Sequence, residues 1–462
     1  MSNLPYDKNS KESINKYAQT LKGKTFKSIL ENDSNFSDTE KNEIYADYNR
    51  KNSKGSLGQF VEKYFFKYDL NNDSNADFKD AGIELKVTPY LKKINGELRA
   101  KERLVLSSIN YMKDENVPFE ESHMYSKCAL MLLIFYLHNY NKEKLDNIID
   151  YINLFEFPEE DLEIIKQDYY KIIEKIKLGK AHEISESDTN YLGACTKGAN
   201  AKDVQIQPHS PIVAMRRAFC LKQSYMNYIL NNYIVKTTNE SYESIIKDKK
   251  VLQTKSFEEY IIDKVSPYYG KDVEELRLKF NLDINMESKS STYILAKRML
   301  DILSDNIEEF KKANIKIKTI CLNSIGTPKE AMSFPAFKYT EIIKETWEES
   351  KLYETFSTNK YLFMVYQYIG DDTLVFKKAM FWNVPGADLN GEIKETWEET
   401  VRRIKNNDYN NLPQSSETNI IHVRPHARNA QDTYPTPDGK KAVKKCFWFN
   451  REYIKKQIES ED

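Results

Sequence analysis

The stretch "NADFKDAGIELKVTP", residues 75–89, and the stretch "EEFKKANIKIKTIC", residues 308–321, contain the same short pattern. Both place a phenylalanine, an alanine and an isoleucine at matching intervals and then alternate apolar with polar residues. Such alternation predicts a β-strand, because successive side chains of a strand point to opposite faces. Where the first stretch carries the acidic Glu84, the second carries the basic Lys316.

Other stretches recur at a nearly constant distance along the chain. Three pairs begin 228 residues apart: "KERLVL" at 101 with "KEAMSF" at 329, "IIKQDYYKIIEKIK" at 164 with "EIKETWEETVRRIK" at 392, and "AFCLKQSYM" at 218 with "CFWFNREYI" at 446. "KGANAKD" at 197 and "HARNAQD" at 426 begin 229 residues apart. Matches in the same order at one spacing predict a tandem duplication with two similar folds.

Each copy alternates strand-like runs with amphipathic helical stretches, which predicts a mixed α/β fold with a sheet flanked by helices. A polar, unpatterned segment near residues 237–251 separates the copies and is interpreted as a linker. We therefore expect a first domain over residues 1–240 and a second over residues 250–462. A chain of 462 residues is long enough for two domains with a core each.

The composition limits the possible settings of the chain. With 69 basic and 70 acidic residues the net charge is −1, which neither indicates nor excludes nucleic acid. The five cysteines are odd in number and include no CxxC pair, so neither a disulfide framework nor a zinc site is expected. We expect the protein to reside in a reducing cytoplasm. No signal-peptide pattern opens the sequence, and "CALMLLIFYLH" is too short to span a membrane, so it is predicted to be a buried strand.

The first copy places acidic and basic groups together. In a strand, Glu84 and Lys86 share one face, and Asp77 precedes the Gly82 turn, close enough to meet Glu84 across a hairpin or bend. Two converging carboxylates suit Mg²⁺, which binds through one or two carboxylates plus a substrate phosphate. A neighbouring lysine can position the attacking water and offset phosphate charge. The pattern predicts metal-assisted hydrolysis of a phosphodiester.

The Glu-X-Lys triplet alone is a weak signal, because it occurs five times here and a solvated charged face explains most such triplets. Glu84 differs in lying on an apolar strand, with Asp77 upstream and Glu62 on a preceding helix. The second copy carries Ala296, Glu309, Lys316 and Lys318 at the places of Glu62, Asp77, Glu84 and Lys86. This difference predicts a metal centre in the first copy alone.

Several segments together resemble a known family. "KGSLGQFVEKYF", "ADFKDAGIELKVTP" and "TKGANAK…RRAFCLK" resemble the mismatch-repair nicking endonuclease MutH and the related type II restriction endonucleases that cut at GATC. "KERLVLSSINY", "GKAHEISE", "MSFPAFK" and "HVRPH" extend the resemblance to two-copy restriction enzymes over nearly the whole chain. The resemblance implies two tandem restriction-endonuclease-like, PD-(D/E)XK domains and Mg²⁺-dependent hydrolysis of both strands of duplex DNA at GATC.

The resemblance also implies roles for individual residues of the first copy. Asp77 and Glu84 match the Mg²⁺ ligands of the family, and Lys86 matches its catalytic lysine. Glu62 matches the acidic residue on the preceding helix, and Lys101, in "KERLVL", lies near a lysine that serves the family's active site.

For DNA recognition, Lys197 matches a lysine that the family uses, and a lysine can donate to guanine O6 and N7. Cys220 stands where the repair enzyme has a tyrosine, so that contact is not transferred. Arg216 and Arg217 either contact phosphates or cap a sheet edge. "HVRPHAR", residues 422–428, forms either a basic ridge on DNA or an ordinary solvated strand. The predicted DNA-binding residues are Lys197, Asn200, Arg216, Arg217, Lys222, Arg424 and His426.

One active centre per chain has consequences for a protein that cuts two strands. We expect a monomer in free solution that pairs on DNA, with the second copy binding another site as an effector. The companion expected for a restriction enzyme is a DNA methyltransferase. Two alternatives are a strand-nicking repair-type endonuclease and a non-catalytic DNA-binding protein in which Asp77 and Glu84 are leftovers.

Overall fold

The structure, a computed structural model, describes residues 4–50, 55–68, 76–93, 96–197, 203–236, 241–283, 285, 290–370 and 372–460. The chain divides into two compact units. Unit 1 consists of Met1–Ile184, Thr189–Ser241 and Lys311–Ala313, and unit 2 of Ser185–Asp188, Tyr242–Phe310 and Asn314–Asp462. No helix in the described ranges is long and apolar enough to cross a membrane.

Unit 1 contains nine strands and eight α-helices in the residues that the structure describes. The strands are β1 Glu84–Lys92, β2 Leu98–Ala100, β3 Leu104–Ser108, β4 Met131–Leu137, β5 Ile148–Phe155, β6 Leu192–Thr196, β7 Val204–Gln207, β8 Ser210–Met215 and β9 Arg217–Leu221. The helices are α1 Lys11–Ala18, α2 Lys27–Glu31, α3 Asp38–Arg50, α4 Ser56–Phe60, α5 Tyr111–Asp114, α6 His123–Ser126, α7 Glu159–Lys177 and α8 Gln223–Tyr228.

The main sheet of unit 1 has the strand order β2-β1-β4-β5. β1 runs parallel to β4, while β2 and β5 are antiparallel to their neighbours. Two smaller sheets, β3-β9-β6 and the β7-β8 hairpin, complete the unit. The first five residues of β4 are fully buried, which confirms the strand predicted from "CALMLLIFYLH".

The core of unit 1 explains why its helices cover the sheet. Ile83, Leu132 and Ile149, from three neighbouring strand segments, are fully buried against the first four helices, where Phe60 contributes one of the largest enclosed rings. Fully burying an aliphatic or aromatic side chain of this size is worth about 1.5–3 kcal/mol. One face of the sheet is therefore covered by helices, and polar side chains of β1 lie on the other face or at the end of the strand.

Pro89 lies inside β1 and does not end the strand. β1 continues to Lys92, paired with β4 from Glu84 to Tyr90. A proline lacks the N–H that a ladder requires, so it disrupts most central strands. Here the pairing with β2 begins only at Tyr90, and the carbonyl of Pro89 still accepts a hydrogen bond from the Lys101 N–H at 3.0 Å.

Unit 2 has nearly the same order of elements, with one strand fewer after its first strand and one helix more, α15, among the residues that the structure describes. Its strands are β10 Ile315–Leu322, β11 Met332–Ser333, β12 Lys360–Ile369, β13 Thr373–Trp382, β14 Ile421–Pro425, β15 Thr433–Pro435, β16 Lys441–Val443 and β17 Lys445–Phe449. Its helices are α9 Phe257–Val265, α10 Val273–Lys279, α11 Ser291–Met299, α12 Glu308–Ala313, α13 Tyr339–Ile342, α14 Lys351–Thr358, α15 Gly386–Asn390, α16 Glu392–Lys405 and α17 Arg451–Glu459. The last three residues of α12 are grouped with unit 1.

The topology of unit 2 repeats that of unit 1. The sheet β10-β12-β13 matches β1-β4-β5, with the first pair parallel and the second antiparallel, and β11-β17-β14 matches β3-β9-β6. Details recur as well: Tyr111 donates to the carbonyl of Met215 at 2.6 Å, and Tyr339 donates to that of Val443 at 2.6 Å. The predicted mixed α/β fold in two tandem copies is confirmed.

Candidate active site

A tight hairpin joins Asp77 to the start of β1. Phe78 and Ile83 form a two-way backbone bridge, with N–H to carbonyl distances of 2.9 and 3.2 Å. Gly82 completes the turn with φ 66°, a left-handed conformation that glycine adopts without steric cost. The side chain of Asp77 accepts a hydrogen bond from the Leu85 N–H at 2.8 Å. The turn therefore brings the carboxylate of Asp77 back alongside the strand that carries Glu84.

The carboxylate of Glu84 lies between two lysines. Its Oε1 is 2.9 Å from the ammonium of Lys86, and its Oε2 is 3.0 Å from that of Lys127. Glu84 is almost fully buried, and the two lysine side chains are only 16% and 12% exposed. Burying a carboxylate is costly unless hydrogen bonds and opposite charges compensate, and the paired lysines supply both.

Glu62 is the third carboxylate of the cluster. It lies in the π-helical turn Val61–Phe65 that continues α4. Burial and the negative charges of Asp77 and Glu84 raise the pKa of Glu62 to about 7. Burial and the charge of Glu84 likewise raise the pKa of Asp77. The mutual repulsion indicates three acidic groups that share one enclosed environment, which is typical of functional carboxylates.

The donor chemistry fits a hard divalent cation. Within the described ranges, no three His, Cys, Asp or Glu side chains are grouped as a full set of metal ligands. Mg²⁺ does not require one, since it keeps several waters and takes one or two carboxylates plus substrate phosphate oxygens. Asp77 and Glu84 offer two such carboxylates, and a cation there would relieve the repulsion that raises the pKa of Asp77.

Lys127 is the site residue that the sequence analysis missed. It lies just after α6 and four residues before the start of β4, whose first residue, Met131, pairs with Glu84. Because the two strands are parallel, the residues that precede β4 reach the same sheet edge as Glu84. A lysine directly before the buried run "CALMLLIFYL" is the signal that could have identified it.

Lys101, predicted near the active site, lies elsewhere in unit 1. Its backbone N–H bonds to Pro89, and its ammonium lies 5.8 Å from the ring centroid of Tyr140. Pro89 is five residues beyond Glu84, which corresponds to about 16 Å along a strand. The structure thus groups Lys127, and not Lys101, with the carboxylates.

In unit 2 the equivalent positions carry no acidic pair. Asn314 takes the turn position of Gly82, with φ 55°, and β10 follows it. Glu309, at the place of Asp77, is buried and accepts hydrogen bonds from the Ser244 hydroxyl at 2.6 Å and the Ile245 N–H at 3.1 Å. Lys318 is half-buried, and burial lowers its pKa. Glu309 therefore secures a neighbouring segment, and the positions of Glu84 and Lys86 are taken by the amines Lys316 and Lys318.

The predicted DNA-binding residues of unit 1 have different environments. Lys197 follows β6; its backbone N–H donates to the Arg216 carbonyl at 2.9 Å and its ammonium to the Ser108 hydroxyl at 2.5 Å. Arg216 is exposed and pairs with Asp203 at 2.8 Å. Arg217 donates to the carbonyl of Ala194 in β6 at 2.7 Å. The sequence left open whether these arginines contact phosphates or cap a sheet edge. Arg217 makes the contact within the sheet, and Arg216 keeps an exposed guanidinium.

Two further predicted contacts are placed differently. Lys222 is 2% exposed, and its ammonium donates to the carbonyl of Thr189. A side chain so enclosed has no surface to offer to DNA, so the structure does not support the contact predicted for Lys222. Asn200 lies outside the described residues.

In unit 2, Arg424 and His426 lie at the end of β14 and are both exposed. The Arg424 guanidinium lies 3.8 Å from the ring centroid of Trp448, and the His426 ring lies 5.6 Å from it. His422, from the same segment, is instead buried and hydrogen-bonded to Asn450. The predicted basic ridge therefore includes Arg424 and His426 but not His422.

Comparison with known proteins identifies the family. The family model for the DNA mismatch repair enzyme MutH matches the chain twice, over residues 66–168 and 300–403. The type II restriction enzyme Sau3AI of Staphylococcus aureus is 36% identical over 460 residues, which cover 88% of this chain and 93% of that enzyme.

Two mismatch repair proteins match over a smaller part. MutH of Yersinia enterocolitica is 24% identical over 188 residues, or 40% of this chain and 80% of that protein. MutH of Vibrio campbellii is 25% identical over 195 residues, or 42% of this chain and 84% of that protein. Together with the repeated family match, these relatives confirm two tandem restriction-endonuclease-like domains. The chain therefore belongs to the family of MutH and its related type II restriction enzymes.

Proposed function

We propose that this protein is a type II restriction endonuclease that uses Mg²⁺ to hydrolyse both strands of duplex DNA at or around GATC. Unit 1 catalyses, and unit 2 binds a second site as an effector without cutting. The observation that carries the proposal is the grouping of Asp77 and Glu84 with Lys86 and Lys127 in unit 1. The likeness to Sau3AI along most of the chain supports restriction over repair.

The residues of unit 1 would divide the work as follows. Asp77 and Glu84 would hold the divalent cation, which supplies electrostatic stabilisation and a more acidic water when bound. The ammonium groups of Lys86 and Lys127 place positive charge where the negative charge of the phosphorane develops. Water attacks phosphorus, the bond from phosphorus to the 3′ oxygen breaks, and the products are a 5′-phosphate and a 3′-hydroxyl.

Glu62 adds a group that exchanges protons near neutral pH. In the metal-free site a carboxyl with a pKa of about 7 is partly deprotonated at pH 7, and a cation bound beside it would favour the ionised form that can accept a proton. Its position beside Asp77 and Glu84 suits it to accept a proton released from the attacking water. The carboxylates of the cluster thus differ in role because their surroundings differ.

The test is digestion of a plasmid that contains GATC, with Mg²⁺ and with EDTA. We expect linear fragments with Mg²⁺ alone, and sequencing of the fragment ends should place each break at or beside GATC. Accumulation of nicked circles that never become linear would favour the strand-nicking alternative. Binding of the plasmid with no cleavage under either condition would favour a non-catalytic DNA-binding protein.

Two parts of the proposal concern partners. One active centre per chain implies that two chains, or two turnovers, cut the two strands, so we propose a monomer that pairs on DNA. A restriction function also implies a DNA methyltransferase that protects the same sequence in the cell. Size-exclusion chromatography or sedimentation measures the oligomeric state. A chain that is dimeric at nanomolar concentration without DNA would contradict the first part.

A further inference from the structure

An exposed arginine stacks on a partly buried tryptophan in the sheet β11-β17-β14 of unit 2. Arg424 lies on the edge strand β14 and Trp448 on its neighbour β17. The guanidinium carbon is 3.8 Å from the centroid of the indole ring, within the range of a cation–π contact. Such stacking restrains the plane of the guanidinium and leaves its N–H groups at the edge free to donate.

The surroundings of the pair are polar and open. His426 follows β14 and lies edge-on to Trp448 at 5.6 Å. The next residues form a loop that, with Lys444, lines a cavity of about 420 Å³, among them Arg428 and Asp432. The guanidinium of Arg424 is solvent-exposed and donates no hydrogen bond to an acceptor in the part of unit 2 that the structure describes. Its donors are therefore available to a ligand with paired acceptors.

The register of the strands shows what unit 1 has at these places. The pairing of β14 with β17 in unit 2 matches that of β6 with β9 in unit 1. The pair Arg424–Cys446 has the place of Cys195–Ala218. The pair His422–Trp448 has the place of Gly193–Cys220. The positions of Arg424 and Trp448 therefore correspond to Cys195 and Cys220.

The next position along the chain differs as well. His426 donates its backbone N–H to Lys444 at 2.9 Å, as Lys197 does to Arg216 at 2.9 Å, so His426 occupies the place of Lys197. In unit 1, Cys195 and Cys220 are buried in a small cluster with Ala218. Unit 1 thus has no stacked arginine on the corresponding strand pair, and its exposed amine at this sheet end is Lys197.

We propose that Arg424, held against Trp448, reads a guanine edge in duplex DNA, so that the two units recognise DNA through different side chains. The inference rests on the proposed function of unit 2 as a DNA-binding unit. Arginine donates to guanine O6 and N7 together, and this bidentate contact requires a fixed guanidinium plane with a free edge. The stacked geometry of Arg424 meets both requirements, whereas a contact to phosphate would need neither.

The experiment uses the full chain with Asp77→Asn, which slows cutting, in EDTA, which withholds Mg²⁺, titrated with a short duplex. The duplex carries one GATC flanked only by A·T pairs, and a second version replaces its guanines with 7-deazaguanine, which lacks the N7 acceptor. We expect two binding phases for the unmodified guanine duplex. Adding Arg424→Ala should weaken one phase by about tenfold to a hundredfold, the discrimination typical of a bidentate base contact. The weakened phase should no longer distinguish guanine from 7-deazaguanine.

Two further variants separate stacking from other effects. Trp448→Phe keeps an aromatic face and should retain the preference of that phase for guanine, measured on a chain whose circular dichroism matches the parent. Arg402→Ala removes an exposed arginine of α16 that is paired with Glu399, and should leave both phases unchanged.

Each contrary result has a distinct meaning. The base-reading role is overturned if both phases survive Arg424→Ala. It is also overturned if binding of the guanine and 7-deazaguanine duplexes weakens equally with a shallower salt dependence, and that result would indicate a phosphate contact. If the parent chain shows a single phase, the DNA-binding role of unit 2 fails first and this inference with it.

Discussion

Burial and neighbouring carboxylates raise the pKa of Glu62 and of Asp77, so the site around Glu84 is unfavourable to the fold in the absence of a cation. The pKa of Glu62 is raised to about 7, and that of Asp77 is raised too, because burial and like charges penalise their ionised forms. Lys86 and Lys127 compensate Glu84 directly, whereas the carboxylate of Asp77 accepts a hydrogen bond from the neutral Leu85 N–H at 2.8 Å. A cluster arranged in this way favours binding over stability.

Replacing Asp77 by asparagine should separate these two properties. The amide can still accept the hydrogen bond from Leu85 but removes one of the charges that repel Glu84, so the melting temperature of the metal-free protein should stay equal or rise. Cleavage should fall on the order of a hundredfold to a thousandfold, as when one charge-stabilising group of an active site is lost. Asp80→Asn, an exposed neighbour, is the matched control and should cut normally. Normal cutting by Asp77→Asn would show that the site is wrongly assigned.

The two candidate lysines can be distinguished in the same assay. Lys127→Ala removes an ammonium 3.0 Å from Glu84, and we expect cleavage to fall by about tenfold to a hundredfold, the usual cost of removing a group that orients a ligand. Lys101→Ala removes a side chain that lies over Tyr140, and cleavage should stay near the parent rate. The reverse order of effects would support the role that the family resemblance implied for Lys101.

At the scale of elements, the turn before the first strand of each sheet is a shared device. Gly82 has φ 66° and Asn314 has φ 55°, so both units enter their strand through a left-handed residue. We expect Gly82→Val to lower the free energy of unfolding by about 1–2 kcal/mol, the cost of a left-handed conformation for a residue with a Cβ. Gly82→Asn should cost less, because asparagine tolerates this region and already serves in unit 2. Chemical denaturation measures both, and equal losses would contradict the argument.

The second element-scale prediction concerns the buried histidine of β14. Burial lowers the pKa of His422, although its hydrogen bond with Asn450 acts in the opposite direction, and the charge of Arg424 lowers the pKa further. Below about pH 6.5 the unfolded chain therefore binds a proton at His422 more readily than the native chain does. The contribution of the neutral, buried His422 to the free energy of unfolding is complete above that pH and is lost as the pH falls. The difference in melting temperature between the parent and His422→Gln should shrink from pH 8 to pH 5.5. A difference that stays constant would show that His422 does not contribute to the pH dependence.

The sequence predicted elements whose pattern is local. β1, β4 and α7 each carry their own periodicity of apolar residues, and the turn at Gly82 has a residue type that marks it. The continuation of β1 through Pro89 is not predictable in this way, because the tolerance of a proline depends on which strand pairs beside it, and the local sequence does not show the neighbouring strands.

The site was predictable only where its residues lie on one segment. Asp77, Glu84 and Lys86 fall within ten residues, so strand geometry alone suggests that they meet. Lys127 reaches them through the parallel pairing of β1 with β4, which depends on the sheet order. Lys222 was misjudged because nothing in the sequence shows that it faces inward to Thr189.

At the scale of the whole molecule, duplication has left two similar units with different chemistry. Unit 1 groups acidic oxygens and lysines around Glu84, while the corresponding edge of unit 2 carries Lys318 and a carboxylate, Glu309, bonded to Ser244. Unit 2 nevertheless keeps an exposed arginine, Arg424, stacked on the partly buried Trp448. If unit 2 binds DNA as proposed, it would do so through side chains different from the carboxylates and lysines around Glu84.

If the chain has one active centre, as proposed, cleavage depends on how many sites a DNA molecule carries. If unit 2 binds a second GATC, a circle with two sites supplies it within the same molecule, where tethering raises the effective concentration far above that of free DNA. At equal concentrations of sites, we expect the two-site circle to be cut at least about tenfold faster than the one-site circle. Adding a short duplex that contains GATC should accelerate the one-site circle, since it supplies the second site in trans. Equal rates on both circles, together with no acceleration by the duplex, would remove the effector role from unit 2 and leave it a duplicated fold without a part in the reaction.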